Sequence, residues 1–498
     1  MKAKTNDLAT HARDLALRFT LQPSVTGSAS EAQFADWLAG ELMGFDKIWT
    51  TPIPGGAHAR KNLFALRKGT SNATVVLTGH FDVVPVDDYG ALPAFDAEAL
   101  LAATIARLKA TGENPLALAD FESGDFLPGR GLLDMKAGLA AGLAAINAYQ
   151  GEATLLFLAV ADEENGSAGA RAAIPDLKQA AKEHGLDIKL VINLDAIADL
   201  GDGAAARVIT YGSIGKQLLT AFVVGQETHA GYSAQGANAA YIAAELVTEF
   251  ELSPQLAEIM GNERTAAPTV LYAKDLKQVY NVTTPASAFV YWNTLQYQRG
   301  PAEVLATSLE MARTALDRAE ARLNRKIALI TVADLLQKCA PEPLAQMAQT
   351  LSADATLDVP EKIKRLTQHA WALSGLTEPT VVIGFGSIPY PAVLMQDTKL
   401  RSLIEKAVSP LGVGSLNYFA GISDMSCFGE AAGSLDAVAA NTPGWGILFE
   451  MHEPAGYPTI NLGPWGRDYH HWLERLHAPY AFETLPRALL AVIEAVAR

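Results

Sequence analysis

The sequence predicts an α/β protein in which a mostly parallel sheet is flanked by helices and a smaller α+β domain is inserted. The first observation is the length of 498 residues, which is too long for one hydrophobic core and favours two domains. The second is a series of short apolar runs that alternate with helical stretches from 62 to 194, as in a buried parallel sheet. The third is a change of pattern after about Tyr211 to the order β-α-β-β-α-β, which is typical of a two-layer domain.

Apolar spacing predicts the elements of the first part. Helices are expected at 11–20 and 31–43, and either Ser28 or Ser30 is expected to cap the second one. Ligands collect at the carboxyl ends of strands in such sheets, so polar residues that follow strands are the candidates for function. The remaining predicted elements are strands at 62–66, 73–78, 153–160 and 190–194 and helices at 135–150 and 168–184.

The inserted domain is predicted to span 211–392, between catalytic parts at 1–210 and 393–498. A helical excursion is expected within it at about 327–378. After Pro391 the alternation of strands and helices resumes. The domain's predicted elements are strands at 217–224, 269–280, 286–297 and 380–383 and helices at 237–251 and 301–325.

Composition restricts the class of partner. The net charge of −15 argues against a nucleic acid or an anionic membrane, because both need a basic face. Two cysteines, Cys339 and Cys427, are too few for a disulfide framework and suit a reducing compartment. The amino terminus lacks the apolar region and the cleavage site of a signal peptide. We therefore expect a soluble, cytoplasmic enzyme with a small-molecule substrate.

Two motifs bring the first candidate metal ligands. LTGHFDVVP places His80 and Asp82 after the strand predicted at 73–78. Imidazole binds zinc well, and a carboxylate two residues further on can accept the other ring N–H. GRGLLDMKAG places Asp134 at a predicted helix start, where a helix cap is the ordinary interpretation of an aspartate.

Acidic residues follow two further strands. LAVADEENGSAGA ends its strand in Asp162, Glu163 and Glu164, and VINLDAIAD ends in Asp195. Acidic runs are usually solvated, but a run that follows a buried strand lies at the carboxyl end of that strand. Adjacent carboxylates repel one another there unless a cation lies between them.

A last motif near the carboxyl terminus, GRDYHHWLERL, offers His470, His471 and Glu474. Together the motifs supply nitrogen and oxygen donors without thiolate. Such a set favours a catalytic site for zinc, manganese or cobalt over a structural zinc site. An acid in excess of the ligands is available as a general base.

GHFDVVP, GRGLLDMKAG and DEENGSAG, in this order, resemble motifs of a dinuclear-zinc family of metallopeptidases and deacylases. It includes acetylornithine deacetylase, succinyl-diaminopimelate desuccinylase, aminoacylase and the glutamate carboxypeptidases. The resemblance extends over nearly the whole chain, and YNVTTP, GISDMS and GPWGRDYHHWLER are most similar to its arginine-utilisation branch. It implies a zinc-exopeptidase-like fold with an inserted lid domain. It also implies hydrolysis of an amide bond in an N-acyl amino acid or short peptide.

The resemblance also implies a role for each matching residue. Glu163 would activate a metal-bridging hydroxide as general base, and Asp82 would orient His80. The family places a glutamate four residues after its last histidine ligand, here Glu474, which selects His470 over His471. The cofactor would be two divalent ions, zinc before cobalt or manganese. The implied ligands are His80 and Asp195 for one ion, Glu164 and His470 for the other, and Asp134 for both.

The inserted domain resembles the family's lid at two motifs. His229, in GQETHAGYSAQGANA, would stabilise the oxyanion of the intermediate, often from the partner of a homodimer formed through the lid. Asn281, in YNVTTP, and Ser423, in GISDMS of the catalytic part, would contact the substrate.

Three features depart from the family's pattern. Trp292-Asn293-Thr294 stands where many members have an aspartate-x-arginine pair that binds a substrate carboxylate. A helical segment around 97–110, between His80 and Asp134, is expected to narrow the entrance to the site. The excursion at 327–378 would cover the surface through which relatives dimerise, so a dimer is less expected here than for a typical member.

The motifs leave alternatives open. One is an exopeptidase, a carboxypeptidase or dipeptidase, with the same chemistry. Another is a catalytically weak metal-containing binding protein, which only the missing arginine favours. A dinucleotide-binding oxidoreductase is excluded because no GxGxxG turn follows the first strand.

Overall fold

The chain divides into two compact units in the computed structural model, which describes residues 2–419 and 421–497. The first unit comprises Met1–Ser213, Leu394–Glu430 and Pro454–Arg498. The second comprises Ile214–Val393 and Ala431–Glu453. The segment 431–453 therefore lies with the second unit, although the sequence analysis placed all of 393–498 in the catalytic part.

The first unit is built on strands and helices that alternate along the chain. Ser28 caps the second helix by accepting the N–H of Glu31. Its helices are α1 (Lys2–Leu21), α2 (Ala29–Glu41), α3 (Ala97–Thr111), α4 (Pro115–Ser123), α5 (Ala137–Ala148), α6 (Ala168–His184), α12 (Thr398–Val408), α13 (Met425–Phe428) and α15 (Leu485–Val496). Its strands are β1 (Lys47–Pro52), β2 (Lys61–Arg67), β3 (Ala73–His80), β4 (Phe126–Pro128), β5 (Thr154–Val160), β6 (Asp187–Asn193), β7 (Ile197–Ala198), β8 (Val208–Thr210), β9 (Gly212–Ser213), β18 (Gly414–Leu416), β19 (Thr459–Asn461), β20 (Trp465–Arg467) and β21 (Arg475–His477).

The main sheet of this unit has the order β1-β2-β5-β3-β6-β19-β8-β18. Its centre, β5-β3-β6-β19, is parallel, which confirms the expected parallel core. The sheet as a whole is mixed, because β1 pairs antiparallel with β2 and β2 antiparallel with β5. A short loop joins β1 to β2, and strands joined by a short loop can pair only in the antiparallel sense.

Helices pack against both faces of this sheet. On one face α6 contributes Ile174 and Leu177 to a core with Phe64, Leu156 and Val191. On the other face α5, buried from Ala137 to Ile146, contacts β3 and β5 and packs against α1 and α15. Because β5, β3 and β6 are adjacent and parallel, their carboxyl ends meet at one edge of the sheet.

A smaller four-stranded sheet, of order β4-β21-β20-β7, lies in the same unit. Strands β20 and β21 form an antiparallel hairpin in which Arg467 lies opposite Arg475. Residues 468–474 form the loop of this hairpin.

The second unit is an α+β structure whose sheet has the order β13-β14-β10-β16-β15. Its core lies between this sheet and helices α7 and α8, and Trp292, Val290 and Leu246 are buried there. Its helices are α7 (Ala239–Phe250), α8 (Pro301–Leu323), α9 (Val332–Leu336), α10 (Pro341–Ser352), α11 (Val359–Ser374) and α14 (Asp436–Ala440). Its strands are β10 (Gly215–Val224), β11 (Ile259–Met260), β12 (Glu263–Arg264), β13 (Thr269–Asp275), β14 (Ser287–Gln296), β15 (Ala328–Thr331) and β16 (Thr380–Phe385), and β17 (Val393–Leu394) follows at the boundary between the units.

The stretch predicted as a helical excursion at 327–378 contains one strand before its helices. This strand, β15, pairs in parallel with β16 and extends the sheet. Along the part of the chain that the structure describes, no helix has the length and apolar character needed to cross a bilayer.

Candidate metal centre

Three predicted ligands lie where the central parallel strands end or in the turns that follow. His80 is the last residue of β3, Glu164 follows β5 and Asp195 follows β6. Asp134 comes from the segment before α5. The Nε2 atom of His80 lies 3.1 Å from an oxygen of Asp134 and 3.8 Å from one of Asp195. Topology thus brings together residues that are far apart in sequence.

His470 completes a second group of donors. Its Nε2 atom lies 3.1 Å from Glu164 and 3.3 Å from the other oxygen of Asp134. Two sets of potential ligand atoms, each within 4.8 Å of one another, result: His80, Asp134 and Asp195, and Asp134, Glu164 and His470. Asp134 belongs to both sets.

The segment that carries Asp134 is not regular helix. Asp134 has φ −115° and ψ 95°, and α5 starts only at Ala137, without a side-chain cap on its first turn. The carboxylate of Asp134 is therefore directed to the two histidines. It does not cap the helix, so the ordinary interpretation of the motif is wrong here.

His471 faces a different partner. Its Nδ1 atom accepts the backbone N–H of Leu473 at 3.2 Å, so the ring is used inside the loop. His470 has a positive φ of 63° and presents its ring to Asp134 and Glu164. Of these two adjacent histidines, the structure places His470 with the acids.

The protonation of these candidate ligands reflects their crowding. Burial alone lowers the pKa of His80, but Asp134 and Asp195 raise it well above its ordinary value. Hydrogen bonds to Asp134 and Glu164 raise the pKa of His470 to about 10. Burial raises the pKa of Asp195, whereas Asp134 is held below its ordinary pKa because the two histidines outweigh its burial.

Glu163 lies beside these donors but belongs to neither set. It begins a short turn, 163–165, directly after β5. Burial raises the pKa of Glu163 well above its ordinary value, and the negative charges of Asp424 and Asp195 raise it further although His80 opposes them. A carboxylate with a raised pKa is a stronger base, and a general base works best with a pKa near the operating pH.

Asp82 acts on its neighbours in two ways. The sequence analysis expected its carboxylate to accept the ring N–H of His80, but that oxygen lies 3.6 Å from Nδ1, too far for a hydrogen bond. The backbone carbonyl of Asp82 lies 3.0 Å from the same nitrogen. The carboxylate instead accepts the backbone N–H groups of Glu163 and Glu164.

Some residues that contact the candidate centre escaped the sequence analysis. The side chain of Asn461 accepts the N–H of Asp195 and donates to its carbonyl, at 3.0 and 2.9 Å. Asn461 ends the apolar strand β19, so the position of a polar residue after a strand was a usable signal. Arg60 forms a buried ion pair with Asp162, and no pattern in the sequence connects these two residues.

Close packing holds the Asp195 backbone in place. A Cβ atom added at Gly463 would lie 2.0 Å from the carbonyl oxygen of Asp195, and one at Gly138 would lie 2.1 Å from that of Leu194. Real Cβ atoms do not approach so closely, so only glycine permits these contacts between segments of the chain.

Ser423 and its neighbour differ in their surroundings. The hydroxyl of Ser423 is buried, donates to Ser213 and accepts the N–H of Met425, both at 3.3 Å. Asp424 is buried too, and burial raises its pKa to about 7. The charge of Asp424 acts on Glu163, so this acid belongs to the surroundings of the centre.

The second unit contains the other predicted residues. His229 is exposed and accepts the N–H of Gly231 at its Nδ1 atom, and its backbone pairs with that of Thr283. Asn281 is exposed in the loop that contains Thr283, and its side-chain oxygen accepts a hydrogen bond from the Thr283 hydroxyl at 2.7 Å. The second unit therefore holds His229 and Asn281 close to one another.

Residues 292–294, which stand where many family members have an aspartate-x-arginine pair, lie in the packed strand β14. Trp292 and Thr294 are fully buried in β14, and the Thr294 hydroxyl donates to the carbonyl of Gln217. Arg299 donates to the carbonyl of Gln255. Residues 292–294 therefore supply no cation.

The donors fit divalent metal ions. Asp134, Glu164 and Asp195 lie close together with only two imidazoles, and like charges at such distances repel one another unless cations lie between them. Imidazole and carboxylate donors without thiolate suit zinc, manganese or cobalt. The chemistry of the donor set thus agrees with two metal sites that share Asp134.

Comparison with known proteins identifies the family. The model of Peptidase family M20/M25/M40 matches residues 76–452. The protein YqjN of Bacillus subtilis (strain 168) is 30% identical, with 95% of this chain and 94% of YqjN covered. Protein RocB of the same organism is 28% identical, with 93% and 91% covered.

A solved structure shares the fold. A tripeptidase from Staphylococcus aureus superposes with a TM-score of 0.56 at 16% identity, with 98% of this chain and 99% of the tripeptidase covered. The comparisons confirm the family and the fold expected from the motifs. The chain belongs to Peptidase family M20/M25/M40 and is a hydrolase.

Proposed function

We propose that the protein is a two-metal hydrolase that cleaves an amide bond in an N-acyl amino acid or short peptide, with Glu163 as general base. One observation carries the proposal: Asp134 belongs to two sets of donors, whereas Glu163, the sequence neighbour of Glu164, belongs to neither. A shared carboxylate suits two neighbouring ions, and an acid left outside the ligand set is free to move protons.

His80, Asp134 and Asp195 would hold one ion, and Asp134, Glu164 and His470 the other. Zinc is the proposed metal, and cobalt and manganese suit the same donors. When bound, two such ions polarise the scissile carbonyl, activate water at neutral pH and stabilise developing negative charge.

Glu163 would accept the proton of the attacking water at a carboxylate oxygen and return it to the leaving nitrogen. Such proton transfer typically contributes about 10²- to 10⁴-fold to the rate. Its burial supports the assignment, because the raised pKa makes Glu163 a better base than an exposed glutamate. Asp82 would keep the base and His80 in fixed positions through the contacts described above.

His229 would donate a hydrogen bond to the oxyanion of the intermediate. A donor of this kind is typically worth about 2.7–4 kcal/mol of barrier. Asn281 would contact the substrate from the loop between β13 and β14, which pairs with the segment of His229. Ser423 is the proposed contact in the first unit. The family resemblance supports these three assignments, and with them a lid-mediated homodimer and a place in arginine utilisation.

Substrate recognition must differ from that of relatives with the arginine pair. Trp292 and Thr294 are buried and neutral, so no bidentate contact with a substrate carboxylate arises from residues 292–294. A cytoplasmic location suits the two cysteine thiols.

A hydrolysis screen tests the proposal. The protein is loaded separately with zinc, manganese and cobalt and offered N-acyl amino acids and dipeptides, with the Glu163→Ala variant as control. Turnover by the wild type that falls at least a hundredfold in the variant, at equal metal content, supports the proposal. Release of a free acid from acyl amino acids identifies a deacylase, whereas cleavage of dipeptides alone identifies an exopeptidase. Equal activity of both proteins would overturn the assignment of Glu163 as the base. No hydrolysis at all would overturn the proposal as a whole and favour the binding protein.

A further inference from the structure

The hairpin that carries His470 places two like charges opposite each other at its base. Arg467 and Arg475 are direct cross-strand partners in β20 and β21. Their side chains are only 9% and 0% exposed. Like charges directly opposite each other destabilise an antiparallel pair, and a buried charge is costly unless it is paired. The hairpin therefore needs an anion at this position in order to close.

Asp120 supplies this anion. It lies in α4, and its two oxygens accept Nη1 of Arg467 at 2.7 and 2.6 Å. One of them also accepts Nε of Arg475 at 2.7 Å. A single buried carboxylate thus joins the two strands at the base of the loop. Arg475 in addition donates to Asp468, the first residue of the loop.

The loop itself is held in an unfavourable backbone conformation. Asp468 and His470 both have positive φ angles, 54° and 63°, which residues other than glycine adopt rarely. Such conformations persist only where the surrounding structure determines them. The orientation of the His470 ring toward Asp134 and Glu164 therefore depends on contacts that fix the loop from outside.

A second contact comes from the neighbouring helix α3. The guanidinium of Arg107 lies 4.0 Å from the ring centroid of Trp472, which is a loop residue. Helices α3 and α4 fill the long interval between His80 and Asp134. Both helices thus contact the hairpin, one at its base and one at its loop.

We propose that Asp120, assisted by Arg107, is a positioning residue that holds His470 in place as a ligand of the second metal ion. The inference rests on the two-metal centre proposed above. It gives the segment 97–123 a function, since it braces the hairpin on which one of the two metal sites depends.

The test measures zinc binding by competition with a chromophoric chelator, together with the zinc content per chain. Wild-type protein is expected to bind two ions. Asp120→Asn is expected to keep one ion at wild-type affinity, while the dissociation constant of the other rises about 10- to 100-fold, as is usual when a group that orients a metal ligand is removed. Glu258→Gln is the matched control, because Glu258 also accepts several N–H groups but lies in the second unit.

A double variant separates positioning from general damage. Asp120→Asn leaves two buried guanidinium groups opposite each other, and Arg467→Gln removes one of them. The variant Asp120→Asn/Arg467→Gln is therefore expected to regain part of the lost affinity, whereas two merely structural defects would add. No recovery would overturn the charge argument.

Other outcomes decide the remaining points. Two ions bound at wild-type affinity by Asp120→Asn, or equal weakening of both ions, would overturn the inference. If circular dichroism shows that Asp120→Asn does not fold, the exposed Arg107→Ala decides: a loss of about two- to fivefold in affinity for the second ion supports the inference, and unchanged affinity overturns it. Wild-type protein that binds fewer than two ions would instead contradict the proposed function, so the two failures are distinguishable.

Discussion

The carboxylate of Asp82 accepts the backbone N–H of Glu163, with 3.1 Å between Oδ1 and the nitrogen. Its other oxygen accepts the N–H of Glu164 at 3.3 Å and the hydroxyl of Thr26 at 2.8 Å. All three partners are donors, so both oxygens of Asp82 must be acceptors. The end of β3 thereby determines where the proposed base and one proposed ligand lie.

Asp82→Asn is expected to impair both catalysis and metal binding. The new amide group would point its N–H₂ at one or more N–H or O–H donors and leave them without an acceptor. We expect kcat to fall about a hundredfold, and zinc affinity to fall about 10- to 100-fold. Thr26→Val removes one donor and leaves the two backbone contacts, so its kcat should fall by about fivefold or less. Wild-type kcat and zinc affinity in Asp82→Asn would contradict this role.

The adjacent histidines provide a matched pair of variants. His470→Ala removes a donor that lies 3.1 Å from Glu164 and should reduce zinc content from two ions to about one per chain. His471→Ala removes the acceptor of the Leu473 N–H and a ring contact with Trp472 but no candidate metal donor, so this variant should retain two ions. Zinc content after exhaustive dialysis measures both. Loss of zinc in His471→Ala but not in His470→Ala would reverse the assignment.

Removal of metal should destabilise the first unit. Without cations, Asp134, Glu164 and Asp195 face one another, and burial raises the pKa of the latter two. Zinc at a hundredfold excess over its dissociation constant would stabilise the folded form by about 2.7 kcal/mol per site. Thermal unfolding with and without a chelator should show a Tm several degrees lower in the chelated protein. His470→Ala should show a smaller difference, and equal Tm values in wild type would speak against a metal centre.

The part of the fold that could be predicted is the part that the local spacing of apolar residues determines. The helix predicted at 168–184 matches α6 in both bounds, and the strand predicted at 153–160 differs from β5 by one residue. His80, Glu164 and Asp195 could be predicted as neighbours because buried parallel strands present their carboxyl ends at one edge. Local pattern and a general rule of topology were sufficient for these residues.

The remainder depends on contacts between distant segments. Asp120 and Arg467 are 347 positions apart, and periodicity says nothing about such a pair. The segment 431–453 packs with the second unit although its sequence resembles any loop-rich stretch of the first. The partner of the His80 ring was predicted wrongly for a related reason, since a carbonyl and a carboxylate of the same residue, Asp82, compete for one N–H. Only the three-dimensional arrangement decides between them.

Glu31, which belongs to neither candidate set of metal ligands, predicts a pH dependence of stability. It is 1% exposed, and its burial, reinforced by the charge of Asp82, raises its pKa to about 7, although the Gly27 N–H and Arg60 oppose this. The ordinary value is 4.5. Between these two values the folded protein binds a proton that the unfolded chain has lost, so the free energy of unfolding falls as the pH rises.

Glu31→Gln replaces the carboxyl group with an amide that does not titrate, so this contribution to the pH dependence is lost. Relative to wild type, the variant should gain stability between pH 5 and pH 8, by on the order of 3 kcal/mol, because one pKa unit corresponds to about 1.4 kcal/mol. Scanning calorimetry of both metal-free proteins at the two pH values would measure the change, as a difference in Tm that grows in favour of the variant with pH. A difference in Tm that is the same at pH 5 and pH 8 would show that Glu31 ionises alike in the folded and unfolded chains, and would contradict the raised pKa.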